Sequence, residues 1–244
     1  MKLKAFEKMT GAEVLLFCLM AVCSGVMVGI GGTSYLISVS TLGSWGKLIG
    51  GILFSLGIFA IVSFDMKLFT GMVADIPTLG LKNSWRLPVC FICNAIGVGI
   101  VFLLVGDTSL AQYLDLGAFL IYAKLSSESW ALSALASSIL CGMLITISVR
   151  AKDYAPKKGL SATLGVVFPI VVFAFCGFDH SVANMLYFYS LGEVSWKITG
   201  YILLTILGNT MGGVSLPLIY LLRLKTEKKQ KPVEISVENQ AEEI

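Results

Sequence analysis

The chain has 244 residues, of which 56% are hydrophobic and 14% charged, against roughly 45–50% and about 25% in an average soluble domain. A mean hydropathy of +0.85, with 25 glycines and 14 phenylalanines, fits a polytopic membrane protein and excludes a water-soluble fold, a disordered chain, collagen and a nucleic-acid binder. The net charge is only +3, so the position of each charge carries the argument rather than the total.

A bilayer core about 30 Å thick needs roughly 20 apolar residues per helix. Six such runs occur, at about 12–36, 46–79, 87–106, 129–150, 159–190 and 196–222. The first begins with Lys2 and Lys4 but outlasts a signal peptide and lacks an A-x-A site, so it is expected as a retained helix. The second is too long for one span and contains Asp65, Lys67 and Asp75, so a break is expected near its middle. Between runs three and four, residues 107–128 mix Leu, Tyr and Phe with Asp107 and Asp115, the pattern of a helix lying in the interface. The fifth run is interrupted by CGFDHSVANM, where Gly177, Asp179, His180 and Ser181 stand between a pair of apolar halves. Charges at membrane depth are costly and line cavities or pathways. After Arg223 the chain is polar and free of aromatics, and 223–244 is expected as a disordered cytoplasmic tail behind a membrane domain of 1–222.

Basic residues accumulate on the cytoplasmic side. The N-terminus, the 80–87 loop, the 150–158 loop and the tail hold 14 of the 18 Lys and Arg. The other loops hold only Lys47, Lys124 and Lys197. Six crossings then put both termini in the cytoplasm, with the chain in the cell (inner) membrane as a multi-pass protein.

Asn94-x-x-Gly97 in run three recurs as Asn209-x-x-Gly212 in run six, an offset of 115, and Asp65 falls 114 before Asp179. The expected fold is therefore all-α, with six transmembrane helices in an inverted 3+3 repeat, about 10–106 and 128–222, whose second and fifth helices are broken at mid-membrane. Substrate sites of inverted-repeat transporters lie between broken helices. Here two half-helix N-termini would face one region and favour an anion, with Thr70 and Ser181 as the natural N-caps.

His180 is the only histidine, and beside an anion site it reads as a hydrogen-bond or proton donor. Lys124 reads either as a snorkelling interface anchor or as an attractor of anions at the outer mouth; the residues leave both open. Phe54 and Phe173 read as packing residues or gates. Lys67 is either a cation near the site or the neutraliser of Asp65 or Asp75. Six cysteines lie in apolar runs and read as small hydrophobes. Cys90-x-x-Cys93 has the spacing of a redox or metal pair but lacks a second pair or a nearby histidine, so no metal or cofactor is expected.

KLIGGILFSLG and LFTGM in run two, Asn94-x-x-Gly97, the Ala123–Lys124 pair, GFDHSVANM and GNTMGG together resemble the formate/nitrite transporter family, over most of 10–222. The resemblance implies a homopentamer with one pore per protomer, an aquaporin-like fold, and conduction of formate, nitrite, hydrosulfide or related weak-acid anions. It places Thr70 near His180, Phe54 and Phe173 at an outer constriction, and Leu68 and Phe69 at an inner one. Lys124 matches a lysine that attracts anions, and Asn94 and Asn209 match motif asparagines. Two departures stand out: Lys67 occupies a usually acidic position, and Gly142 stands where an asparagine is usual.

The expected function is thus a channel for small monovalent weak-acid anions, with proton coupling through His180, and not an enzyme. The alternatives are a membrane redox or assembly subunit using Cys90 and Cys93, or a neutral-solute channel, for which the Asn-Pro-Ala caps are missing.

Overall fold

The computed structural model describes residues 9–154 and 159–230. Among them the regular structure is entirely helical, the form in which a backbone in hydrocarbon satisfies its own hydrogen bonds. The helices are α1 (Gly11–Thr41), α2 (Gly46–Ser63), α3 (Phe69–Met72), α4 (Ile76–Leu79), α5 (Arg86–Gly106), α6 (Leu114–Leu125), α7 (Trp130–Tyr154), α8 (Leu160–Cys176), α9 (Asn184–Leu191) and α10 (Trp196–Gln230). A 3-10 turn, Val73–Asp75, joins α3 to α4.

Five helical stretches among the described residues are long and apolar enough to cross a membrane: Gly11–Thr41, Gly43–Ser63, Arg86–Gly106, Trp130–Ala151 and Trp196–Glu227. The second and fifth apolar runs are interrupted, after Ser63 and after Cys176. The chain starts α1 with a reciprocal cap that its TGAE sequence encodes: Glu13 N donates to Thr10 Oγ1 at 3.3 Å and Thr10 N donates to Glu13 Oε2 at 2.7 Å, satisfying two end groups at once. At the other end, α10 continues past Arg223 to Gln230, with Arg223 Nε donating to Glu227 Oε1 at 2.7 Å. The first stretch of the expected tail is therefore helical, with Arg223 and Glu227 paired one turn apart on one helical face; residues 231–244 lie outside the described residues.

The principal helix pairs are α1 with α5, α7 with α10, α1 with α2, and α2 with α8. Small residues permit the first two. A Cβ at Gly97 would stand 2.1 Å from Val22 O, and one at Gly212 would stand 2.0 Å from Ile139 O. Both distances are forbidden, so the two motif glycines fix how closely the backbones cross. Large apolar side chains such as Leu103, Phe168 and Leu203 point outward, the surface expected where lipid or a further chain replaces water.

Candidate functional site

The site is built around the two interruptions. Where a helix stops inside an apolar body, its stranded backbone groups need partners. At the first break Asn94 of α5 supplies them: Oδ1 accepts from Phe69 N at 2.8 Å, while Nδ2 donates to Lys67 O at 2.9 Å and to Ala21 O of α1 at 2.7 Å. At the second break Asn209 of α10 repeats the set, with Oδ1 accepting from Ser181 N at 2.7 Å and Nδ2 donating to Asp179 O at 2.9 Å and to Ser138 O of α7 at 2.9 Å. Each amide uses both of its N–H donors and its carbonyl oxygen. Both asparagines are fully buried.

These bonds correct one expectation. They set Lys67, not Asp65, opposite Asp179, so the offset at the breaks is 112 rather than 114. The residue enclosed by each clasp is Leu68 in the first break and His180 in the second.

They also correct the expected caps. Helix α3 begins at Phe69 with no side-chain cap from its own segment, because Asn94 takes the Phe69 N–H. Thr70 lies inside the first turn and turns its hydroxyl to His180 instead. Ser181 Oγ is buried without a partner among the described residues. The acceptor at the start of α9 is His180 itself, whose Nδ1 takes the Ala183 N–H at 3.0 Å.

That bond fixes the ring's tautomer. With Nδ1 accepting, the neutral imidazole carries its proton on Nε2, which lies 2.9 Å from Thr70 Oγ1 and donates to it. Thr70 has spent a lone pair on the ring and keeps its own hydroxyl hydrogen to offer elsewhere. Both side chains are fully buried.

A cavity of about 240 Å³ leads to this pair, with Lys47 and Lys124 in its lining together with Phe54, Phe173 and His180. The Phe54 and Phe173 rings meet edge to face, centroids 5.4 Å apart at 86°. Phe173 in turn lies 5.7 Å from the His180 ring. Leu68 and Phe69 are buried, and Phe69 packs edge-on against Phe91 at 5.3 Å. The sequence-derived residues thus fall in three places: Phe54, Phe173, Lys124, Thr70 and His180 around or behind the cavity, Leu68, Phe69 and Asn94 at the first break, and Asn209 at the second.

Lys124 is not a free cation. Its Nζ lies 2.5 Å from Asp179 Oδ1 and donates to Gly177 O at 3.1 Å. Asp179, only 3% exposed, also accepts from Asn184 Nδ2 at 3.0 Å, and its backbone N–H donates to Ser137 Oγ at 3.0 Å. Asp179 and Asn184 were missed as partners. The signal was an acid inside an apolar run, which requires a named counter-charge.

Lys67 pairs with Asp65 at 2.9 Å and Asp75 pairs with Arg150 of α7, so Asp65 rather than Asp75 is the acid that Lys67 neutralises. Gly142 has a steric reason: a Cβ there would stand 2.4 Å from Asn209 O, so a side chain at this point would push on the second clasp. Cys90 and Cys93 are buried. The Cys90 thiol donates to Lys67 O at 3.4 Å and lies 3.7 Å from Asn94 Oδ1, which ties it to the first break. Among the described residues no group of three or more His, Cys, Asp or Glu is placed to hold a metal ion.

Long apolar helices interrupted at two places, with polar side chains gathered behind a cavity, fit a multi-pass membrane transport protein. The chain belongs to the formate/nitrite transporter family, whose model matches residues 3–222. It is 28% identical to the uncharacterized transporter YrhG of Bacillus subtilis over 84% of this chain and 86% of the relative. It is 24% identical to the formate channel FocB of Escherichia coli, over 87% of each. Among solved structures, an ion channel of the same family superposes with a TM-score of 0.74 at 23% identity, covering 87% of this chain and 91% of the other. A pentameric formate channel with formate bound superposes with a TM-score of 0.72 at 20% identity, covering 88% and 99%.

Proposed function

We propose that the protein is a channel for small monovalent weak-acid anions of the formate, nitrite and hydrosulfide type, with the anion meeting Thr70 and His180. The observation that carries this reading is the buried Thr70–His180 pair, oriented by the Ala183 N–H and lying behind a cavity that Phe54 and Phe173 also line. In that wall of aromatic and aliphatic groups, the Thr70 hydroxyl is a donor with its hydrogen uncommitted to the ring. A bare anion entering there loses its hydration, whereas the neutral acid loses far less. Proton coupling through His180 answers that cost. Protonating the ring at Nδ1 breaks its bond to the Ala183 N–H, so proton delivery is linked to the start of α9.

The same reading makes six crossings of the helices: α1, α2 with α3–α4, α5, α7, α8 with α9, and α10. They form an inverted 3+3 repeat with the breaks at mid-membrane, both termini in the cytoplasm and the chain in the inner membrane. The matched clasps of Asn94 and Asn209 support the repeat. The likeness to a pentameric formate channel supports a homopentamer with one pore per protomer, with Leu68 and Phe69 at the inner constriction.

The test is flux into liposomes carrying the purified protein, with formate, nitrite, hydrosulfide, acetate and chloride compared at two pH values. Formate-type anions are expected to cross faster than chloride and faster at the lower pH. Thr70→Val removes the donor to a charged ligand and should cut flux by about 10-fold or more, and His180→Ala should abolish the pH dependence. Flux of chloride equal to formate, indifferent to pH and to His180→Ala, would overturn the reading, as would swelling in glycerol without anion flux.

A further inference from the structure

Resting on the anion-channel reading, we propose that Lys47, rather than Lys124, supplies the field that draws anions into the mouth cavity. Both lysines line that cavity, but their charges are not equivalent. The Lys124 ammonium sits 2.5 Å from the carboxylate of Asp179. From a few ångströms away, such a pair presents a dipole, whose attraction for an ion fades faster with distance than that of a single charge. Lys124 is committed further by its bond to Gly177 O, so its role is to hold the second break against α6.

Lys47 is exposed, and among the described residues it makes no ion pair or hydrogen bond. Of the three charges Lys47, Lys124 and Asp179, the last two cancel and Lys47 is left over. It is also the second residue of α2 (Gly46–Ser63), where the helix's own partial charge is positive. A cation at a helix start is the wrong sign for helix stability. The two positive sources add, and they add at the rim of a cavity whose walls include Phe54 and Phe173. Low-dielectric walls focus a field of this kind and raise the local concentration of a counter-ion.

The experiment is formate influx into liposomes at subsaturating concentration, with wild type, Lys47→Gln, Lys47→Glu and Lys47→Arg compared at two ionic strengths. At about 20 mM salt the screening length is about 20 Å and at about 0.5 M it is about 4 Å. At low salt Lys47→Gln should be slower by about 3-fold and Lys47→Glu by about 10-fold, with Lys47→Arg unchanged; at high salt all four should agree within about 1.5-fold. The thermal midpoint in detergent should fall in none of the variants, since Lys47 has no charged partner among the described residues and Lys47→Gln and Lys47→Glu remove a charge of the wrong sign from the start of α2. Lys47→Glu as fast as wild type at low salt overturns the proposal while leaving the channel reading intact. Loss that persists at high salt also overturns it, because a steering charge is screened. Absence of any wild-type anion flux overturns the channel reading itself and this proposal with it.

Discussion

At 64–68 and again at 177–183 the chain leaves its helix, and in both places one asparagine from a neighbouring helix takes up the stranded carbonyl and N–H. What lies inside the two clasps differs. The first encloses Leu68 and is flanked by an exposed ion pair, Asp65 being 75% exposed. The second encloses His180 and is flanked by a pair whose acid is 3% exposed. Backbone groups in an apolar body must be satisfied wherever a helix stops, so that aspect of the design is the same on both sides. The side chain between the bonded groups carries no such obligation, and there the two breaks have taken different chemistry: a buried aliphatic side chain in one, a proton-bearing ring in the other.

The comparison breaks most sharply at the asparagines. Asn209→Leu leaves Ser181 N and Asp179 O without the partner they have in the wild type, and Asn94→Leu strands Phe69 N and leaves Lys67 O only the Cys90 thiol, while Ser138 O and Ala21 O, inside α7 and α1, keep their helical bonds. Each orphaned buried group costs about 1–3 kcal/mol, so both variants are expected to lose most of their folded yield in detergent, as judged by gel filtration. If one tolerates the change with a thermal midpoint within about 2 °C of wild type, the two clasps are not equivalent.

The ion pairs sharpen the contrast at smaller scale. Lys124→Gln strands the Asp179 carboxylate with Asn184 as its remaining side-chain donor. The expected destabilisation is about 2 kcal/mol, below the 3–5 kcal/mol of a fully buried pair because Lys124 itself is 35% exposed and partly screened. Adding Asp179→Asn should restore at least some of the lost thermal midpoint, since it removes the uncompensated charge. At the first break Lys67→Gln should change stability by less than about 1 kcal/mol, and less again in high salt. A Lys67→Gln effect as large as that of Lys124→Gln would remove the distinction between an exposed and a buried pair.

Much of this architecture was legible in the sequence. Apolar runs longer than a bilayer is thick, holding charges near their middle, announced the two interruptions. The recurrence of Asn-x-x-Gly in runs three and six marked the residues that close them. The TGAE start of α1 was equally readable as a capping box and was overlooked. The alignment of Asp65 with Asp179 went astray because it matched residue type, whereas the clasps match backbone positions, and those select Lys67. Thr70 and Ser181 were plausible caps by residue type. In the folded chain the Phe69 and Ala183 N–H groups go to Asn94 and His180 instead.

The sequence by itself determined where helices run and where they stop, because hydrophobic length and the cost of a buried charge are properties of the residues in order. It also determined which residue types collect at the breaks. Only the tertiary structure decided their partners: that Lys124 spends its charge on Asp179, that Lys47 does not, and that the His180 ring holds its proton toward Thr70. Thr70 and His180 are 110 residues apart and Lys124 and Asp179 are 55 apart. Direction and distance between such side chains are set by how α3, α6 and α9 pack, and no local pattern in the chain encodes them.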